Sequence, residues 1–332
     1  MLLTRKSGCK ITTFPSIHKI FSSFFVFLHS EMSKQALSIL IPTYNTVCVK
    51  LVEILSQQAQ ALNVSYEIIV SDDASPNRES VAANQAINNL PQARFIARAT
   101  NIGSAANRNY LASISQHPWL LFIDCDVSIP NPQFLYTYYI YMEQHTDVVN
   151  GGIAVATLPE MANNLRYQYE KEAEPAHSAA MRQKNKYQEF RSTNFMIRSE
   201  VFAKCPFDER FTKSGYEDVL FGKQLKQQHI AALHIDNPIV MTEFESNPDY
   251  MDKTERNLRT LYQFRNELRG YSRLLTLVQG IHIPAILWFI RLWHRMFGAT
   301  EKRNLCGSRP LLSLYQLYRL GYYLTLLKHR EG

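Results

Sequence analysis

The chain has 332 residues, 46% of them hydrophobic and 20% charged, enough to bury a large core and unlike disordered or collagenous compositions. Its five cysteines are scattered, with no CxxC pair and no histidine at zinc spacing, which argues for a reducing compartment and against a structural metal. The net charge of +7 is uneven: residues 265–332 hold 11 Lys/Arg against 3 Asp/Glu and residues 1–31 hold 4 against 1, leaving 32–264 at a net −4. A nucleic-acid binder would carry basic residues on its folded surface with aromatics between them, so the terminal bias points to a membrane surface instead.

In residues 1–31, four basic residues precede the apolar run Phe24 to Leu28, which superficially resembles an export signal. The run is interrupted by serines and far shorter than the roughly 20 residues of a spanning helix. The expectation is a poorly ordered or mis-assigned extension, with Met32 as the start. Beyond it, Leu37–Ile41 reads as a buried strand stopped by Pro42, and Val49–Leu62 has helical spacing. Tyr66–Val70 is a second strand, ended by the turn Ser71-Asp72-Asp73-Ala74-Ser75-Pro76. Val81–Leu90 reads as helix, Arg94–Ala97 as strand, Ala105–Ser115 as helix and Trp119–Ile123 as a fourth strand running into Asp124-Cys125-Asp126. This alternation predicts a doubly wound α/β sheet.

Ligands of such sheets bind beyond the carboxyl ends of the strands, where Asp72, Asp73, Asp124 and Asp126 collect. One acidic pair is an ordinary turn feature, but two at one sheet edge suggest a site. No GxGxxG follows the first strand and no GxxxxGK[ST] occurs, so dinucleotide and P-loop chemistry lack their phosphate cradle. A phosphate ligand here needs another source of positive charge. A divalent cation on a strand-end Asp-x-Asp supplies it, because hard cations take oxygen ligands.

The pattern resembles glycosyltransferase family 2 over about residues 37–245. The match runs through Leu37 to Asn45, Glu67 to Ser75, Asn101-Ile102-Gly103 with Arg108-Asn109, Leu121 to Asp126, Ser192-Thr193-Asn194-Phe195, and Gly215 to Gly222. The resemblance implies the GT-A fold, a doubly wound, Rossmann-like mixed sheet, and inverting transfer from a nucleotide-sugar, with UDP-sugars favoured. It implies that Pro42, Thr43, Tyr44, Asn45 and Asp73 hold the base and ribose, and that Asn101, Gly103 and Arg108 shape the adjoining loop. Asp124 would face the ribose with Cys125 beside it. Asp126 would carry the divalent metal, Mn2+ or Mg2+, on the diphosphate. Thr193, Asn194, Tyr216 and Glu217 would meet the acceptor, and Asp218 of the Glu217-Asp218 pair would be the general base. An attacking hydroxyl must lose its proton as the new bond forms, and a positioned carboxylate takes it. Relatives place a His near the diphosphate where this chain aligns Met241, which puts metal dependence in doubt.

Met251–Arg269 has helical spacing. Leu274–Ile290 is apolar but broken by Gln279, Gly280, His282 and Pro284, too short and polar for a span. A helix from Pro284 would group Arg291, His294 and Arg295 on one face against Ile286, Phe289, Ile290, Trp293 and Phe297, the pattern of a helix lying in a membrane surface; Leu311–Leu327 repeats it. The sequence therefore predicts a catalytic domain over 32–249 and a helical, basic extension over 250–332, peripheral at the cytoplasmic face of a membrane. The expected acceptor is a glycan or a lipid-linked glycan, with no nucleic-acid partner. A nucleotide-sugar pyrophosphorylase would want a Gly-rich loop in place of Pro42–Asn45. The other alternative is a non-catalytic nucleotide- or carbohydrate-binding protein of the same fold.

Overall fold

The computed structural model describes residues 35–328 apart from His145 and Ser214; the expectation for residues 1–31 lies outside them. The chain runs β1 (Ala36–Thr43), α1 (Val49–Leu62), β2 (Ser65–Asp72), α2 (Arg78–Asn84), β3 (Ala93–Ala97), α3 (Ser104–Ser113) and β4 (Trp119–Ile123). After these come β5 (Val127–Ser128), α4 (Phe134–Met142), β6 (Val148–Asn150), β7 (Ile153–Val155), α5 (Leu165–Ala173), α6 (Ala179–Lys184), β8 (Asn194–Arg198) and α7 (Ser199–Lys204). Helix α8 (Glu217–Gln227), β9 (Ala232–His234) and β10 (Ile239–Met241) lead to four C-terminal helices, α9 (Asn247–Gln263), α10 (Arg273–Gly280), α11 (Pro284–Leu305) and α12 (Leu312–Lys328).

Seven strands form one mixed sheet in the order β3-β2-β1-β4-β8-β6-β9. β1 lies parallel to β2 and β4, so the carboxyl ends of these three strands open on the same edge. β8 runs antiparallel between β4 and β6. A small second sheet, β5-β10-β7, pairs Met241 with Val127 just after Asp126. The central strands are buried on both faces, as the run Leu-Leu-Phe-Ile of β4 requires. Leu37, Ile39 and Ile41 pack on one face; Leu40 and Phe122 lie on the other.

That second core fixes the height of α8 over the sheet edge. Phe207 and Phe221 stack at 4.4 Å and Phe122 and Phe195 at 4.8 Å, and a Cβ on Gly222 would meet the Tyr187 carbonyl oxygen at 2.1 Å. The C-terminal helices are part of the same core: Leu258 and Leu261 of α9, and Leu320, Tyr323 and Leu324 of α12, share a cluster with Leu40 and Phe122. The faces of α11 differ from expectation. His294 turns inward, 3.0 Å from Glu301 and edge-on to Tyr318, because Gly321 lets the ring close on α12. Ile286, Trp288, Phe289, Trp293, Met296 and Phe297 are exposed. Among the described residues no helix is long and apolar enough to cross a membrane.

Candidate active site

A cleft of about 360 Å³ opens at the carboxyl edge of β1, β2 and β4, lined among others by Thr43, Asp73, Gly103, Arg108, Asp124 and Asp126. Pro42, Tyr44, Asn101 and Cys125 complete the expected donor residues along its walls. Asn45, an exposed residue between Tyr44 and Thr46, is not on the lining. Its backbone sits in the left-handed region at φ 56°, its N–H donates to Ser75 Oγ at 2.7 Å, and its side-chain oxygen accepts from the Asn77 N–H at 3.2 Å. It ties the first loop to the second.

The two acids of the second loop divide their work. Asp72 closes the turn by accepting from the Ser75 N–H at 2.9 Å and its hydroxyl at 2.5 Å. Asp73 accepts from the Ile102 and Gly103 N–H groups, each at 2.9 Å, while Asn101 donates to the Asp73 carbonyl at 2.8 Å. Arg98 Nε lies 4.0 Å from the same carboxylate, and Asp73 lines the cleft. Gly103 adopts φ 88°, and a Cβ there would fall 2.6 Å from the Thr212 carbonyl oxygen. Only glycine lets this loop pass so close to Thr212, which itself lines the cleft.

Arg108, buried on α3, joins the two sides of the site. It donates to Asp124 Oδ1 at 2.6 Å and to the Ser104 hydroxyl, and lies 3.9 Å from Glu217 Oε1. Its Nε is buried with no hydrogen-bond partner. Burial lifts Asp124 to about 6 against the pull of Arg108, with Asp126 adding to the rise. Burial likewise pushes the Cys125 thiol up to about 11, so it stays protonated at neutral pH. Asp126 is exposed. Among the described residues no group of three His, Cys, Asp or Glu side chains could hold a metal ion by itself. The Asp126 carboxylate is an oxygen donor of the kind a hard cation takes. Met241 is buried in β10 and offers no oxygen or nitrogen ligand.

Opposite, the backbone passes through two consecutive left-handed residues, Gly215 at φ 115° and Tyr216 at φ 70°, before α8 begins. Such a conformation in a bulky residue costs about 1–3 kcal/mol and persists where surroundings impose it. Glu217 imposes it from within, accepting from the Gly215 N–H at 2.6 Å and from Ser104 Oγ at 3.4 Å. Asp218, half-buried, accepts from the Val219 N–H at 2.8 Å. Burial raises it to about 6, the Glu217 carboxylate adds to the rise, and Arg191 and Arg108 oppose it. A carboxylate at that value is a better base near neutrality than an ordinary Asp.

Two acceptor-side expectations part here. The Thr193 hydroxyl is buried without a partner, while the Thr193 carbonyl accepts from the Asp124 N–H at 3.0 Å. Asn194 does not face the cleft: fully buried, it accepts from the Tyr138 hydroxyl at 2.6 Å and donates to the Gly152 and Asn237 carbonyls, each at 2.9 Å. With its amide saturated it is a strut under the site, which corrects its assignment to the acceptor. His234 is structural as well, its ring held between Arg182 and the Lys186 carbonyl. Sequence reasoning missed Ser104, Arg191 and Thr212. Ser104 opens α3 next to Gly103, a signal present in the sequence; Arg191 and Thr212 reach the site only through the fold.

A cleft at the carboxyl edge of a mixed sheet, with a strand-end Asp-x-Asp on its lining and an acidic helix start reached through Arg108, is the arrangement of a GT-A protein. The glycosyl transferase family 2 model matches residues 38–205, half of the chain, and the chain belongs to that family. Hyaluronan synthase of Pasteurella multocida is 25% identical over 290 residues, covering 77% of this chain and 29% of that protein. An uncharacterized glycosyltransferase of Haemophilus influenzae is 31% identical over 138 residues, covering 37% of this chain and 44% of that one. The chain thus spans half or less of the curated relatives it matches. The mannosyltransferase PcManGT from Pyrobaculum calidifontis, solved with GDP-Man and Mn2+, superposes with TM-score 0.51 at 12% identity, over 89% of this chain and 87% of that one, a likeness of fold.

Proposed function

We propose that the protein is an inverting glycosyltransferase that moves a sugar from a nucleoside diphosphate sugar, with UDP as the favoured nucleotide, to a hydroxyl of a glycan or lipid-linked glycan. The observation that carries this reading is the bridge made by Arg108, which holds Asp124 of the cleft at 2.6 Å and lies 3.9 Å from Glu217 at the start of α8, where Asp218 beside it is raised to about 6. In a single displacement the acceptor oxygen bonds to the anomeric carbon as the bond to the diphosphate breaks, and the hydroxyl proton passes to Asp218. One face is attacked as the other is vacated, so configuration inverts. Asp73 and the loop Pro42–Thr46 would hold the nucleoside, and Arg108 would keep Asp124 oriented. A divalent cation on Asp126 would offset charge on the leaving diphosphate. In the relative solved with GDP-Man, Mn2+ accompanies the nucleotide-sugar, which supports a cation that enters with the donor. Thermal shift with UDP and GDP, each with and without Mn2+, tests the donor reading, since a ligand of the native state raises apparent stability. Stabilisation by UDP with Mn2+ is expected; none by either nucleotide would sink it.

The exposed aromatic face of α11, flanked by Arg291 and Arg295 in a stretch without Asp or Glu between Glu267 and Glu301, supports a membrane-surface contact at the cytoplasmic face. Truncation would break the core that α12 completes, so point variants are the test. Trp288→Ser with Phe289→Ser should lower binding to anionic vesicles while leaving UDP binding intact.

A further inference from the structure

We propose that a basic pocket beside the cleft binds a negatively charged group, carboxylate or phosphate, on the acceptor chain; the proposal rests on the glycosyltransferase reading and narrows its acceptor to an anionic glycan. The pocket, of about 300 Å³, lies between the segment after α7 and helix α9. Its polar lining is dominated by Arg210, Lys213, Arg256 and Arg259, with Phe264 on one side and Thr212 at the end next to the cleft. No carboxylate lines it. Thr212 also lines the donor cleft, so the two cavities share a wall.

The charge there is not background basicity, because residues 32–264 are acidic on balance. Two of the four cations are partly neutralised at the rim: Arg210 pairs with Asp208 at 2.6 Å and Glu267 at 3.5 Å, and Arg259 with Glu255 at 3.2 Å. Lys213 and Arg256 have no carboxylate partner among the described residues. Lys213 and Arg256 thus offer exposed positive charge on the pocket lining, which attracts an anion. Guanidinium groups match the fork of a carboxylate or phosphate. The volume is at the low end of the roughly 300–1,000 Å³ of ligand pockets, which suits one charged unit of a chain whose neighbouring hydroxyl reaches Asp218.

The test uses the full chain in calorimetry with UDP and Mn2+ present and three probes: tetragalacturonate, its neutral methyl ester, and an oligo(glycerol phosphate). At least one anionic probe should bind about ten-fold or more tighter than the ester, the worth of one or two charge-assisted hydrogen bonds, and the preference should shrink at high salt. The two anionic arms tell a carboxylate acceptor from a phosphate one. Lys213→Ala with Arg256→Ala, both exposed positions, should erase the preference without changing UDP affinity, and Arg256→Lys should keep most of it. Equal binding of all three probes, or an unchanged preference in the double variant, overturns the proposal. So does a double variant that loses anionic-vesicle binding while keeping its glycan preference, since the pocket would then serve lipid. Absence of UDP binding in the same titration would instead sink the glycosyltransferase reading.

Discussion

The two walls of the cleft are built by different means. The donor wall is tied by hydrogen bonds between successive loops of the sheet edge, 29 to 32 residues apart, as Asp73 holds Ile102 and Gly103 and Asn45 holds Ser75 and Asn77. The acceptor wall is one short segment forced through positive φ at Gly215 and Tyr216. Distant elements press on it: the Asn257 side chain leaves no room for a Cβ on Gly215, and the Tyr216 phenol faces Arg319, Tyr169 and Tyr315. The donor wall is tied mainly between successive loops of one sheet edge, whereas the acceptor-side segment is shaped by helices from the far end of the chain.

The sharpest break between them is Asp218→Asn. The amide keeps the size and cannot take a proton, so transfer should fall by about 10²–10⁴, with UDP affinity within a few-fold of normal. A transfer rate near normal would move the base to Glu217. Asp126→Ala should do the reverse, costing about ten- to hundred-fold in Mn2+-dependent UDP affinity, by analogy with lost metal-site contacts. Calorimetry with and without Mn2+ separates the two, and unchanged affinity would remove Asp126 from the metal role.

Gly103→Ala attacks the join between the walls. The added methyl meets the Thr212 carbonyl at 2.6 Å at a φ of 88°, so destabilisation of about 2–3 kcal/mol is expected, read as a lowered midpoint in urea. A midpoint unchanged from wild type would mean that the loop simply relaxes away from Thr212.

The pH dependence follows from Asp218. Its ordinary value is 3.8 and burial raises it to about 6, so the folded protein holds that proton more tightly than the unfolded chain. Stability from this group is complete below 3.8 and lost as pH rises to about 6. The base works only when ionised, so transfer should rise with pH over the upper part of that window. Asp218→Asn removes the cost of a buried charge, and at pH 7.5 it should stabilise the fold by about 1–3 kcal/mol while abolishing most transfer. A less stable variant would show that the carboxylate is better compensated by Arg191 than its burial implies.

The same contrast explains what the sequence made legible. Strands β1, β2, β3 and β4 and helices α1 and α3 stand within a few residues of the sequence reading, because long apolar runs and turn chemistry are local signals. Strands β6, β7, β9 and β10 have three residues each, too few for a period to register. Asp73, Gly103, Arg108 and Asp126 all line the cleft, and each sits in a short motif at a strand end or within the loop and helix that follow. Asn194 stands in a motif too, and its misreading has a physical cause: a buried amide with saturated hydrogen bonds is as restricted in identity as one that touches substrate. The inward turn of His294 was hidden because it depends on Gly321, which a helical wheel of α11 does not contain.

The smallest effect tests how the donor wall is held. Asn45 contributes two separable things, a residue that tolerates φ 56° and a side-chain oxygen that accepts the Asn77 N–H. Asn45→Gly keeps the first and loses the second, and should cost about 0.5–1.5 kcal/mol, the net worth of one hydrogen bond. Asn45→Ala loses both, and the left-handed penalty of roughly 1–2 kcal/mol should be added. Because Asn45 is not on the cleft lining but braces the loop that is, UDP affinity should follow the loss of bracing in each variant, falling a few-fold with Gly and more with Ala. If the two variants were equal in both measurements, backbone conformation at Asn45 would be irrelevant and the wall would rest on the hydrogen bond alone. If affinity fell ten-fold in Asn45→Gly at unchanged stability, Asn45 would instead touch the nucleotide directly, and the donor wall would be less rigid than its hydrogen bonds imply.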